Sequence, residues 1–404
     1  MWKWLPLLGV IACGSSAPRP DPTEPAPPDE STGSGGASSP ETGMGGGGGT
    51  ADPPCIPAGS NLPRPLGLPA PDPNGIFDPD LVLEPETGRL WVSYSGIDGA
   101  PGAGKISTHL AYSDDAGQQW CFAGTINRSE DLPPGTLPPA FDANLRAHWS
   151  HETSALVFDP AAPPNRRWRV WWHRYLHVDD PTTDEDRRFE YGWIAERIAA
   201  TPEGLLSAPE QKLFSTAAYH ADPNVQSYND AAPGGAPRAR LDRLPGIEAC
   251  LVATEPALLA HEGQLYATVY CVTAPPAART ELLAHDGDEW RHVGTLLDNA
   301  DASELSPAFT GYNAADLVAL ENGPHVLITP TVNEIYRGCA VFPVDLGTAS
   351  VTGPPPIAFI PLGDEPDRFF GGACSYADAL GIVYGEVQRG SPAFTLTASG
   401  QTLP

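Results

Sequence analysis

Five stretches of this chain repeat one order of side chains: an acidic or polar start, a short apolar run, a turn, and a second apolar run. They begin at Phe77 (FDPDLVLEPETGRLWVSYSG), Ser150 (SHETSALVFDPAAPPNRRWRVWWHRY), Ala253 (ATEPALLAHEGQLYATVYCV), Asn313 (NAADLVALENGPHVLITPTV) and Gly371 (GGACSYADALGIVYGEV). Apolar runs this short, bounded by Gly, Pro, Asn and Asp, are strands rather than helices, and helical periodicity is hard to find in the chain. Taking Asp78, Glu152, Glu255, Asp316 and Ala373 as markers, the steps are 74, 103, 61 and 57 residues. The shorter steps suit a four-stranded blade with generous loops, and the longer ones carry insertions, where binding function often sits. The repeat predicts an all-β chain, a five-bladed β-propeller over residues 55–404.

A second feature agrees. Tyr112 to Trp120, YSDDAGQQW, fits the Asp-box pattern Ser-x-Asp-x-Gly-x-x-Trp at Ser113, Asp115, Gly117 and Trp120. It resembles the turn between a blade's outer strands. Asp115 would accept backbone N–H groups, Gly117 would take positive φ and Trp120 would pack on the next blade. That makes Asp115 structural. A partial copy stands at Asp286, Gly287 and Trp290.

Ahead of the repeats, MWKWLPLLGVIAC is too short to span a bilayer, which takes roughly 20 apolar residues, and reads as an export signal over residues 1–12. Its Val10-Ile11-Ala12-Cys13 resembles the lipobox of bacterial lipoproteins, which implies lipidation of Cys13 and a place in the cell envelope facing periplasm or exterior. Residues 13–54 are rich in Gly, Pro, Ser and acids, so burial cannot offset their ordering entropy, and they are expected to be a disordered tether. The membrane is then met through the anchor alone. With 50 acidic against 23 basic residues, a formal net charge of −27, the chain repels nucleic acid and anionic lipid. Of seven cysteines, Cys13 leaves six, an even number suited to an oxidising compartment. Cys250 and Cys271 flank an antiparallel hairpin turning at His261-Glu262-Gly263 and are the first expected pair. Cys339–Cys374 and Cys55–Cys121 follow.

If blades are wound radially, the start of each innermost strand points at one central channel. Asp78, Asp80, Glu152, Glu255 and Asp316 stand at such starts. Carboxylates gathered there repel one another, which raises some pKa values and leaves other groups ionised. A glycosidase needs that division, with one carboxyl to protonate the leaving oxygen and one to activate water.

FDPDLV, WSHETSALV and TEPAL resemble the signature motifs of the five-bladed glycosidases of glycoside hydrolase family 43. The resemblance implies Asp78 as general base, Glu152 as the residue that tunes pKa and orients substrate, Glu255 as general acid, and Trp149 as a sugar platform. His151, Asp80 and Asp316 complete the candidate substrate contacts, Asp80 being a rival to Asp78 because strand alternation could aim either inward. It also implies inversion at the anomeric carbon and a carbohydrate substrate; no cofactor is expected, with calcium the one candidate. Trp149-Ser150-His151-Glu152 differs from the family's commoner Trp-Ala-Pro-Asp, and Pro256 stands where a glycine usually follows the acid.

The tract Arg167–Asp180, RWRVWWHRYLHVDD, fits an inner strand packed on both faces; the alternative sends Trp171, His173 or His177 toward the channel. His173 and His177, four apart, would share a metal only on a helix, and the pattern is that of a strand. No Gly-x-Ser-x-Gly elbow, phosphate loop or His-Glu-x-x-His motif occurs. Two other functions stay open. One is a surface propeller that binds glycan or protein without cleaving it, its acids being remnants or calcium ligands. The other is a sialidase-like enzyme using Arg89, Arg337 and Arg368.

Overall fold

The computed structural model describes residues 55–404 apart from 59–61, 69–71, 73, 99–103, 184–185, 275–276, 288, 333–334, 353–355, 362–367 and 389–392. The export signal, Cys13 and the tether lie outside the described residues. Five sheets follow one another along the chain, antiparallel except where the last short strand of the second sheet pairs parallel with its neighbour. The first two short strands are β1 (Cys55–Pro57) and β2 (Arg64–Pro65). Blade 1 then runs outward through β3 (Ile76–Leu83), β4 (Leu90–Asp98), β5 (Lys105–Ser113) and β6 (Gln119–Asn127), with β1 added on its outer edge. Blade 2 comprises β7 (Arg146–Phe158), β8 (Trp168–Asp179), β9 (Arg187–Ala199), β10 (Gln211–Ser215) and β11 (Ala239–Arg240), with helix α1 (Pro223–Ala231) in its insertion.

Blade 3 is β12 (Val252–His261), β13 (Gln264–Ala274), β14 (Ala277–Asp286) and β15 (Glu289–Asp298), followed by α2 (Asn299–Leu305). Blade 4 orders β16 (Gly311–Leu320), β17 (Gly323–Val332), β19 (Gly338–Asp345) and β20 (Ser350–Val351), while β18 (Ile335–Tyr336) pairs with β17 and β21 (Ala358–Pro361) with β19. Blade 5 takes β22 (Arg368–Ala377), β23 (Gly381–Gln388) and β24 (Thr395–Ala398), and its outer strand is β2, from the other end of the chain. The inner strands β3, β7, β12, β16 and β22 each touch the next, and β22 returns to β3, so the ring closes.

Apolar side chains on both faces of each sheet fill the gaps between blades. Trp91, Trp168, Trp172 and Trp193 pack blade 1 against blade 2, and Trp171, Phe214 and Leu283 pack blade 2 against blade 3. The Arg167–Asp180 tract supplies β8, the second strand of its blade rather than the innermost, and is buried along nearly its whole length. Three disulfides join the expected pairs: Cys55–Cys121, Cys250–Cys271 and Cys339–Cys374. They mark an extracytoplasmic protein. At the Tyr112–Trp120 turn, Asp115 Oδ1 accepts the N–H groups of Gln118 and Gln119 at 3.0 and 2.8 Å. Gly117 takes φ +84°, and Trp120 is buried with Leu380 and Leu396 of blade 5. None of the described helices is long and apolar enough to cross a membrane.

Candidate active site on the propeller axis

Each inner strand carries one bulge, and at each bulge one residue has left-handed backbone geometry. The five are Asp78 (φ 49°), Thr153 (49°), Glu255 (47°), Ala314 (47°) and Gly372 (65°). The pairing register slips at the same places: Phe77/Asp80, Glu152/Ala155, Thr254/Ala257, Asn313/Ala315 and Gly371/Cys374. A bulge re-aims its side chain. Here it turns one residue per blade toward the axis. Positive φ on a non-glycine residue costs roughly 1–3 kcal/mol and gathers at functional sites.

The repeat therefore falls one residue later in blade 2 than the sequence markers place it, on Thr153 instead of Glu152, and earlier in blades 4 and 5, on Ala314 instead of Asp316 and Gly372 instead of Ala373. Asp78, Thr153 and Glu255 meet: Thr153 Oγ1 lies 2.9 Å from Asp78 Oδ2 and is also hydrogen-bonded to Glu255 Oε2. Asp78 Oδ1 accepts the Ala373 N–H at 2.7 Å. The Thr153 N–H donates to Ser95 Oγ at 3.0 Å. Gly372 makes room, since a Cβ there would collide with Asp78 Oδ1. Glu152 sits beside this trio, its Oε2 accepting the Tyr175 hydroxyl at 2.7 Å.

Electrostatics follow from burial. Asp78 and Glu255 are 2% and 6% exposed. Burial, then the neighbouring Glu152 carboxylate, pushes Asp78 up to about 8. Burial, then Asp78 and Glu152, holds Glu255 well above the ordinary carboxylate range. A site whose acids resist ionisation at neutral pH can hold a proton ready for a leaving group.

Asp80 and Asp316 belong together elsewhere. Each stands directly before the first leucine of its strand, Leu81 or Leu317. Asp80 Oδ2 accepts the Leu156 N–H at 2.6 Å, and Asp316 Oδ1 accepts the Leu317 N–H at 2.7 Å. Burial and then the charge of Asp316 raise Asp80; burial raises Asp316 to about 7. Their backbone partners make them a second acidic pair bound into the inner strands, and Asp78 rather than Asp80 joins Thr153.

Trp149 and His151 are not brought to the trio. Trp149 is 7% exposed, tilted on Trp193 at 5.1 Å, with Arg174 over its ring at 4.8 Å. His151 Nδ1 accepts the Trp172 Nε1–H at 3.1 Å. Both are consumed by blade 2's own packing, so Trp149 offers no open ring face. His177 stacks on His148, centroids 4.6 Å apart, away from any shared metal with His173. Among the described residues, no group of three or more His, Cys, Asp and Glu side chains is arranged to hold a metal ion. Arg89 is bound to Asp114 at 2.7 Å and lies over Tyr112, in the turn between β3 and β4.

Thr153 is the member of the trio that the sequence reading missed, because it is not acidic. A usable signal was present. Counting three residues back from Leu81, Leu156, Leu258 and Leu317 lands on Asp78, Thr153, Glu255 and Ala314.

No family model matches the chain, and no curated protein matches it. Solved structures with a similar fold are glycoside hydrolases. An α-L-arabinofuranosidase from Lactobacillus brevis aligns over 80% of this chain and 91% of its own at 10% identity, TM-score 0.47. GH43_12 retrieved from a capybara gut metagenome aligns over 87% and 54% at 9% identity, TM-score 0.45. A β-fructofuranosidase of family GH32 from Bombyx mori aligns over 80% and 59% at 12% identity, TM-score 0.44. The chain spans 54% and 59% of those last two, in that order. The five-bladed β-propeller thus has neighbours among families 43 and 32.

Proposed function

We propose that the chain is an exported, lipid-anchored glycoside hydrolase, attached through Cys13 and acting on a polysaccharide or its oligosaccharides. One observation carries the reading: Asp78 and Glu255, 177 residues apart by their numbers, share the hydroxyl of Thr153 at the hub. Two buried carboxyls with raised proton affinity, one able to donate and one to accept, are what glycosidic bond cleavage needs. Glu255 is the general acid and Asp78 the base that takes a proton from water, with Glu152 tuning both through its charge.

Inversion needs a water between base and sugar, with the carboxyls about 6.5–9.5 Å apart. Sharing one hydroxyl holds the nearest oxygens within two hydrogen-bond lengths, roughly 6 Å. For inversion, Thr153 therefore releases one carboxyl as the sugar binds. Proton NMR of the first-formed anomer checks this; a product with retained configuration removes inversion and leaves hydrolysis standing.

Incubating the full chain with arabino-, xylo- and fructo-oligosaccharides is the test. Turnover of one panel member, lost by at least about 100-fold in both Glu255→Gln and Asp78→Asn, is the expected result. The second reading, a glycan-binding propeller without catalysis, has Thr153 in its favour, because an uncharged residue occupies the second of the three repeat positions. Retained binding with no turnover on any member would select it.

A further inference from the structure

The Thr153 hydroxyl stands between two carboxyl oxygens but carries a single proton. It can donate to one of them and must accept from the other, so the trio is complete only when one carboxyl is protonated. The surroundings decide which. Asp78 also accepts the Ala373 N–H and has the Ser95 hydroxyl for a neighbour, donors that suit an anion. Glu255 has Thr153 as its one hydrogen-bond partner among the described residues, an arrangement in which a neutral acid is fully satisfied as donor.

We propose that Thr153 is a positioning residue that fixes the site's one proton on Glu255 and the negative charge on Asp78, through the chain Glu255 Oε2–H to Thr153 Oγ1 and Thr153 Oγ1–H to Asp78 Oδ2. In that order the acid is loaded and the base is free before any sugar arrives. The catalytic meaning of the arrangement rests on the hydrolase reading; the proton's location does not. The other charged or titratable groups facing the trio are Glu152, which faces both carboxyls, Arg187, which faces Glu255, and Tyr175, which donates to Glu152. None of them bridges acid and base. A valine at 153 keeps the branched shape while deleting the bridge.

Losing the hydroxyl removes a donor from the Asp78 anion and an acceptor from the neutral Glu255. The first ionisation then moves up and the second moves down. In Thr153→Val, the pH profile of kcat/KM, which reports the free enzyme's acid and base, is expected to narrow by about one pH unit on each limb. Its maximum should fall roughly 10- to 100-fold, part of what a positioned acid supplies, with KM little changed. Thr153→Ser restores both limbs. Infrared difference spectra of the full chain near pH 6.5 locate the proton without substrate. The protonated-carboxyl C=O band lost from wild type should disappear in Glu255→Gln and persist in Asp78→Asn. Unmoved limbs in Thr153→Val, or a band lost in Asp78→Asn and kept in Glu255→Gln, overturn the proposal. A wild-type chain that hydrolyses nothing removes the hydrolase reading, and the infrared assignment still decides where the proton sits.

Discussion

The residue that gives Asp78 its seat is on another blade. Gly372 occupies the fifth bulge, φ 65°, and the space over its Cα is filled by the Asp78 carboxyl. Burial and the nearby Glu152 already make that carboxyl reluctant to ionise, so its position depends on the few donors that reach it. Gly372→Ala should displace Asp78 from the Ala373 N–H and from Thr153. The expected outcome is a loss of about 1–3 kcal/mol in urea unfolding for the strained backbone, together with loss of turnover that the milder Ala314→Gly does not share. Wild-type turnover in Gly372→Ala would show that Asp78 is not held there.

At the level of the strand, the repeat was legible because each inner strand needs an apolar run to pack between neighbouring blades, and such runs survive as Leu81-Val82, Leu156-Val157, Leu258-Leu259 and Leu317-Val318. The same reading named Asp78 and Glu255, which meet through Thr153, and did not name Thr153. Strand alternation alone cannot tell which residue a bulge will turn inward, and charge was the wrong guide in blade 2. Trp149 illustrates another limit: a tryptophan beside an acid looks like a sugar platform until Trp193, Tyr228 and Arg174 from later segments enclose it. The disulfides were readable in part from hairpin geometry, as at Cys250 and Cys271, whose neighbours pair across β12 and β13. Cys339–Cys374 fastens β19 of blade 4 to β22 of blade 5 across 35 residues of chain. Replacing both with alanine should cost about 4 kcal/mol by loop-closure entropy, measured by chemical unfolding. A change below about 1 kcal/mol would mean that packing between blades 4 and 5 holds the seam unaided.

Over the whole disc, buried acids and buried histidines pull stability in opposite directions with pH. A carboxyl raised in the fold stays protonated while the unfolded chain ionises it, so its contribution is full below about 4 and is lost as pH rises through the folded value. Asp316, at about 7, loses its contribution across that span. Burial lowers His148 and His177 to about 4 and His173 to about 3. Their contribution is present above about 6.5 and disappears as pH falls toward those values. Above about 6.5 only the raised acids act, so the melting temperature should decline as the pH rises toward about 7. Asp316→Asn should flatten the decline, and an unchanged slope in calorimetry would show that Asp316 ionises freely in the fold. The ring is fastened to its own beginning first by a two-residue clasp, Arg64 and Pro65 laid against Ala398 and Thr397, and further along by the Gly75–Phe394 bridge. Cys55 lies ahead of that clasp and is riveted to Cys121 in blade 1. Mechanical tension arriving along the leading segment therefore enters blade 1 through a covalent bond and bypasses the two-residue clasp, so tugging from that side leaves the disc shut.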